Sequence, residues 1–172
     1  MRPRRLWSTD PLTVIDINVA HIVLAAPAVG PSLSGPVILD TNILLDIFVF
    51  QDPATAPLRE ALFSGELDAV RADITLSEFA DVLSREKFKL TAQQRDEILV
   101  KWQSHSRAVT DSEILGSPWK CKDRDDQIFL DLAYTLRPCY LLSKDLQVLK
   151  FRKRAAKESV VIADHYPQPN DH

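Results

Sequence analysis

The 172 residues, 45% of them hydrophobic, suffice for one well-buried core and are too few for two comfortable domains. A formal net charge of −3, from 21 basic and 24 acidic residues, excludes a protein that grips nucleic acid across a broad basic face. It leaves open a local acidic pocket, where a bound metal supplies the positive charge that a phosphate needs.

In chain order, residues 1–35 stand apart: they hold Pro3, Pro11, Pro27 and Pro31 and end in the breaker string Gly30 to Pro36, which reads as an extension outside the core. Its apolar run, Ile17 to Val29, is interrupted by His21 and Pro27 and is too short to span a bilayer. The basic opening has a secretory look, but Asp10 and Asp16 intervene before the apolar run, which a signal peptide does not tolerate. A soluble, cytoplasmic protein with no membrane contact is expected.

From Pro36 the character changes. Val37 to Leu39 form a buried-strand run ending in Asp40, and residues 42–50 are apolar on all sides, as a helix packed under a sheet would be. Asp52-Pro53 restarts the chain; Leu58, Ala61 and Leu62 give a second helix, with Gly65 as its C-terminal cap. Residues 67–73 are a strand candidate. Leu76, Phe79, Ala80 and Leu83 recur at helical spacing and predict a third helix, which carries Glu78.

Thr91 to Gln94 has the form of a capping box, and Ile98, Leu99 and Trp102 give the fourth helix a stripe directed at the third. A loop through Gly116 and Pro118 leads to a helix capped by Asp123 and ending near Leu136. Residues 139–143 are a further buried strand, residues 145–151 a short helical turn, and residues 159–163 a last strand. This alternation predicts an α/β domain over 36–163, with a parallel sheet flanked by helices and a tail at 164–172. Cys121 and Cys139 lack zinc or disulfide spacing, and the four histidines show no ligand pattern, so none is assigned a role.

In an open parallel sheet, ligands bind beyond the carboxyl ends of the strands. Asp40 follows one strand run directly, and Asp145 follows Tyr140 to Leu142 after Ser143 and Lys144. Asp126 lies in the first turn of the helix leading into that second strand, so three carboxylates converge on one rim. Oxygen donors of this kind suit Mg²⁺, which keeps several waters and orients and activates one of them for phosphodiester hydrolysis. Each acid alone has an ordinary explanation: Asp is a favoured N-cap, the acids of Asp123, Asp125 and Asp126 suit a helix start, and the third helix's periodicity puts Glu78 on the solvated face. The joint pattern carries the argument.

The segments VILDTNILLDIF, ITLSEFADVLSR, CKDRDDQIFLDLA and CYLLSKDLQVL resemble, in order and spacing, the successive motifs of PIN domains, over about residues 36–163. That resemblance implies a Rossmann-like fold, an acid cluster that binds Mg²⁺ or Mn²⁺, and ribonuclease activity. The sequence is most similar to the toxins of bacterial type II toxin–antitoxin pairs, of the VapC-like kind, which implies a cognate antitoxin and often a homodimer. By resemblance the catalytic and metal-binding acids are Asp40, Glu78, Asp126 and Asp145; Asn42, Ser143 and Asp123 are supporting. Ser143 replaces the family's usual Thr and keeps the hydroxyl. Residues 1–35 have no counterpart in the family pattern.

Two further readings compete. A phosphatase of the haloacid dehalogenase type needs an Asp-x-Asp motif for its nucleophile and acid/base, and Asn42 stands where the second Asp belongs. A PIN-like module that binds RNA or protein without cutting is the alternative from another functional class; degenerate copies usually lose acids, whereas all four are present. Two basic stretches, Arg85, Lys87 and Lys89, and Lys150 to Lys157, are open to RNA phosphates or to plain solvation.

Overall fold

A computed structural model of the protein describes residues 34–167; the N-terminal extension up to residue 33 and residues 168–172 of the tail lie outside them. Five strands, β1 (Pro36–Leu39), β2 (Asp68–Ala72), β3 (Arg107–Val109), β4 (Cys139–Leu142) and β5 (Val160–Ala163), form one sheet in the order β3-β2-β1-β4-β5. Every pairing is parallel. The expected architecture is therefore the one observed.

Helices cover both faces. Residues of α1 (Thr41–Leu45), α2 (Ala56–Ser64), α3 (Asp73–Leu83) and α4 (Ala92–Ser104) share one core with Val37, Leu39, Ala69 and Leu142. Those of α5 (Arg124–Leu136), α6 (Leu146–Leu149) and α7 (Arg152–Ala155) share the other with Ile38, Val70, Leu141 and Ile162. Alternate residues of a strand point to opposite faces, so β1 needs apolar side chains at successive positions, and Val37, Ile38 and Leu39 are all buried. Each buried Leu or Phe contributes about 1.5–3 kcal/mol relative to exposure, and the two cores together offset the cost of gathering charge at the sheet rim.

The topology places that rim. After β1 the chain moves through α1 and α2 to β2; after β4 it moves through α6 and α7 to β5, on the opposite side. The neighbours β1 and β4 therefore send their connections apart, and a crevice opens beyond their carboxyl ends. The Asp40 N–H donates to the Leu142 carbonyl at 3.0 Å and the Ser143 N–H to Ala163 at 2.9 Å, so the ladder continues to the mouth of the crevice.

Three expectations need revision. Residues 42–50 are not one α-helix: after Leu45 the hydrogen bonding widens into a π-helical segment, Asp46–Phe50. The strand β3 was hidden in what reads as a loop, because it has three residues and two are exposed at the sheet edge. On α3 the buried set is Thr75, Phe79, Val82 and Leu83, with Leu76 and Ala80 only half-buried. No helix among the described residues is long and apolar enough to cross a membrane.

Candidate metal and phosphodiester site

Asp40 starts the site. It precedes α1 yet makes no capping hydrogen bond; its side chain is 3% exposed and is held from elsewhere. Asn42 Nδ2 donates to Asp40 Oδ2 at 2.8 Å, and the Ser143 hydroxyl, fully buried, donates to the same oxygen. The Asn42 side chain also accepts from the Lys144 N–H at 3.0 Å, and Ser143 Oγ accepts from the Asp145 N–H at 3.0 Å. One short network thus sutures the end of β1 to the end of β4. Burial pushes the Asp40 pKa up, the Ser143 and Asn42 hydrogen bonds pull against it, and the charge of Asp145 adds to the rise.

Glu78 joins from α3. The Thr41 hydroxyl donates to Glu78 Oε1 at 3.0 Å, so this glutamate is half-buried against α1 and not on a solvated face. Burial raises its pKa to about 7; the Thr41 hydrogen bond opposes this, and the charges of Asp40, Asp125 and Asp126 reinforce it. Helical periodicity misassigned Glu78 because a helix carries a second buried face when a cleft lies on its outer side.

Asp126, in the first turn of α5, makes no capping bond; that task belongs to Asp123, which accepts from the Asp125 N–H at 3.0 Å. Partial burial raises the Asp126 pKa to about 6, helped by the charges of Asp145, Asp40 and Asp123 and opposed by the Cys121 thiol, which lies 3.8 Å from Oδ2. Asp145 caps α6 by accepting from the Gln147 N–H at 2.6 Å, so its ordinary structural role and its place at the rim coexist. Asp126 and Asp40 lie within electrostatic range of each other and of Asp145, and Glu78 within range of Asp40 and Asp126.

The strand, helix and acid spacing that this geometry rests on is also what a family comparison detects: the PIN-domain model matches residues 36–147. The chain belongs to the PIN-domain family. No curated protein matches it. PIN domains are in general metal-dependent nucleases that act on RNA, and the matched span contains all four acids of this one.

As a PIN domain the chain has a donor set that fits a hard divalent cation. All four groups offer carboxylate oxygen; burial is the main cause of the raised pKa of Asp40, Glu78 and Asp126, and neighbouring carboxylate charges add to it, a repulsion that a cation would relieve. Among the described residues, no three Asp, Glu, His or Cys side chains are already drawn into a ligating set. Water would complete the shell, as Mg²⁺ prefers.

Two neighbours escaped the sequence reading. Lys144 Nζ stands 2.6 Å from Asp46 Oδ2 and 3.4 Å from Asp52 Oδ2, tying the loop after β4 to the π-helical segment. The only signal for it was its position between Ser143 and Asp145. Cys121 faces Asp126 because its N–H donates to Gln127 Oε1 at 2.7 Å, a loop-to-helix bond with no sequence signature.

Proposed function

We propose that this chain is a Mg²⁺- or Mn²⁺-dependent endoribonuclease that hydrolyses RNA phosphodiester bonds in the cytoplasm. The observation that carries the reading is Asp40: a buried carboxylate at the α1 N-cap position that makes no side-chain cap bond and is oriented by two side-chain donors on a single oxygen. Asp40, Glu78, Asp126 and Asp145 would hold the ion. When bound, such an ion lowers the pKa of a water and offsets charge on the scissile phosphate.

The chain's own groups divide the remaining work. Asn42 and Ser143 fix Asp40 through Oδ2, and Oδ1, without a side-chain donor, would be the oxygen offered to an ion. Thr41 engages Glu78 Oε1, so Oε2 is the atom that accepts a proton from the attacking water. Asp123 holds the start of α5 and thereby Asp126. Residues 36–163 form the catalytic unit.

The resemblance of the motifs to VapC-like toxins supports a finer role as the toxin of a toxin–antitoxin pair, with a cognate antitoxin as partner. A non-catalytic RNA- or protein-binding PIN module is the second reading; degenerate copies usually lose acids, and the presence of all four weighs against it. Cleavage of structured and single-stranded RNAs with and without Mn²⁺ separates the two. Wild type should cut only with metal, and Asp40→Asn and Asp126→Asn should lose activity; equal cleavage by all three would sink the site. Growth arrest on induction, lost in Asp40→Asn, tests the toxin role.

A further inference from the structure

Two elements that begin at the acid cluster end together elsewhere. The α1 and π-helical run starts beside Asp40 and finishes at Phe50; α3 carries Glu78, and the short 3₁₀ turn after it, Glu86–Phe88, finishes at Phe88. The Thr41–Glu78 hydrogen bond joins the two at the first end. At the other, the rings of Phe50 and Phe88 meet with centroids 5.9 Å apart.

These rings belong to neither core. Phe50 is 59% exposed, a costly place for a large apolar group with no partner. Gln51 and Lys89, immediately after Phe50 and Phe88, end the two segments in left-handed C-caps with φ of 49° and 53°.

Exposed cations lie beside Phe88 in the chain. Arg85, Lys87 and Lys89 flank Phe88, with Glu86 the one acid among them. None of the three forms an ion pair among the described residues, and Lys87 Nζ lies 4.8 Å from the Phe88 ring centroid. In a chain of net charge −3, three exposed cations without an ion-pair partner among the described residues, beside an exposed Phe50 and a half-buried Phe88, mark a surface for an anion that carries flat rings.

We propose that Phe50 and Phe88 are a stacking platform for a base of single-stranded RNA, with Arg85, Lys87 and Lys89 on the adjoining phosphates. The inference rests on the nuclease reading and deepens it by naming the residues on which an unpaired base would rest. Ten residues of helix separate Asp40 from Phe50, at most about 15 Å at ~1.5 Å per residue. The platform would therefore hold a base at a distance from the acid cluster and not at the cut itself.

The test is binding of the full chain to a mixed-sequence, single-stranded RNA 12-mer by fluorescence anisotropy in EDTA, which prevents turnover. Phe50→Ala should weaken binding about 5- to 100-fold, Phe50→Leu should also weaken it, and Phe50→Trp should restore it, since stacking needs a π face. Lys87→Gln with Lys89→Gln should flatten the salt dependence by about 0.7 for each phosphate no longer neutralised. A fully duplexed 12-mer should show little response to Phe50→Ala. Phe50 is exposed, so an unchanged melting temperature certifies that the variant is folded. Unaltered affinity in folded Phe50→Ala, or equal losses on single- and double-stranded RNA, would overturn the platform. Hydrolysis of bis(p-nitrophenyl) phosphate by the wild type with Mn²⁺ reports on the nuclease reading separately.

Discussion

Removing divalent metal and raising the pH should destabilise the protein, and Glu78 sets the size of the effect. Its pKa is about 7 in the folded chain against 4.5 ordinarily. As pH rises through 4.5 the unfolded chain releases this proton while the folded chain keeps it. The folded state then binds more protons, so stability falls with rising pH, and the full penalty is present above about 7. That interval corresponds to about 3.4 kcal/mol at ~1.36 kcal/mol per pH unit, before water is considered. Glu78 is only half-buried, and solvent screening reduces the figure to about 1–2 kcal/mol. For a chain of this size each kcal/mol moves Tm by ~2–4 °C, so a fall of about 2–8 °C is expected.

Thermal melts in EDTA between pH 4.5 and 8, on wild type and Glu78→Gln, measure this directly. The wild type should lose Tm across the window, whereas Glu78→Gln should lose clearly less, Asp126 supplying the remainder through its own rise to about 6. Mn²⁺ at pH 8 should return the loss in the wild type, since a ligand bound only by the folded state stabilises it. Parallel curves for the two proteins would refute the assignment of Glu78 to the acid cluster.

Ser143→Ala removes both the donor to Asp40 and the acceptor of the Asp145 N–H; isothermal titration should show Mn²⁺ affinity down about 10–100-fold, while Ser143→Thr should stay close to wild type. Phe79→Ala empties a fully buried site on the helix that carries Glu78, and urea denaturation should report a loss of about 3–5 kcal/mol. Removal of residues 1–33 should leave metal-dependent RNA cleavage and Tm unchanged, measured on the purified truncated chain; loss of activity with folding intact would make the extension part of the enzyme.

How much of this was legible in the sequence depended on the range of the interaction. Burial patterns are local, so β1, β4 and the helix carrying Leu130 and Ala133 could be read directly, and the strand-end positions of Asp40 and Asp145 followed. Glu78 defeated periodicity, because its burial comes from Thr41, 37 residues away. Ser143 was recognised by family likeness for its hydroxyl, but its bond to Asp40 spans 103 residues and no local pattern contains it. Lys144 and β3 were missed for related reasons: an ion pair across the crevice and a three-residue edge strand leave no periodic trace. The ordinary cap reading proved right for Asp123, half right for Asp145 and wrong for Asp40.

The suture between Asp40 and Ser143 also has a consequence in time. Its two ends are separated by most of the domain, and the loop between them must close before either side chain meets the other. Helices and the β1–β2 pair can form from nearer partners, but the oriented carboxylate exists only once β4 has docked beside β1. A chain emerging from synthesis therefore carries Asp40 for more than a hundred residues with only local partners such as Asn42, and its full set of donors is complete only when β4 is in place.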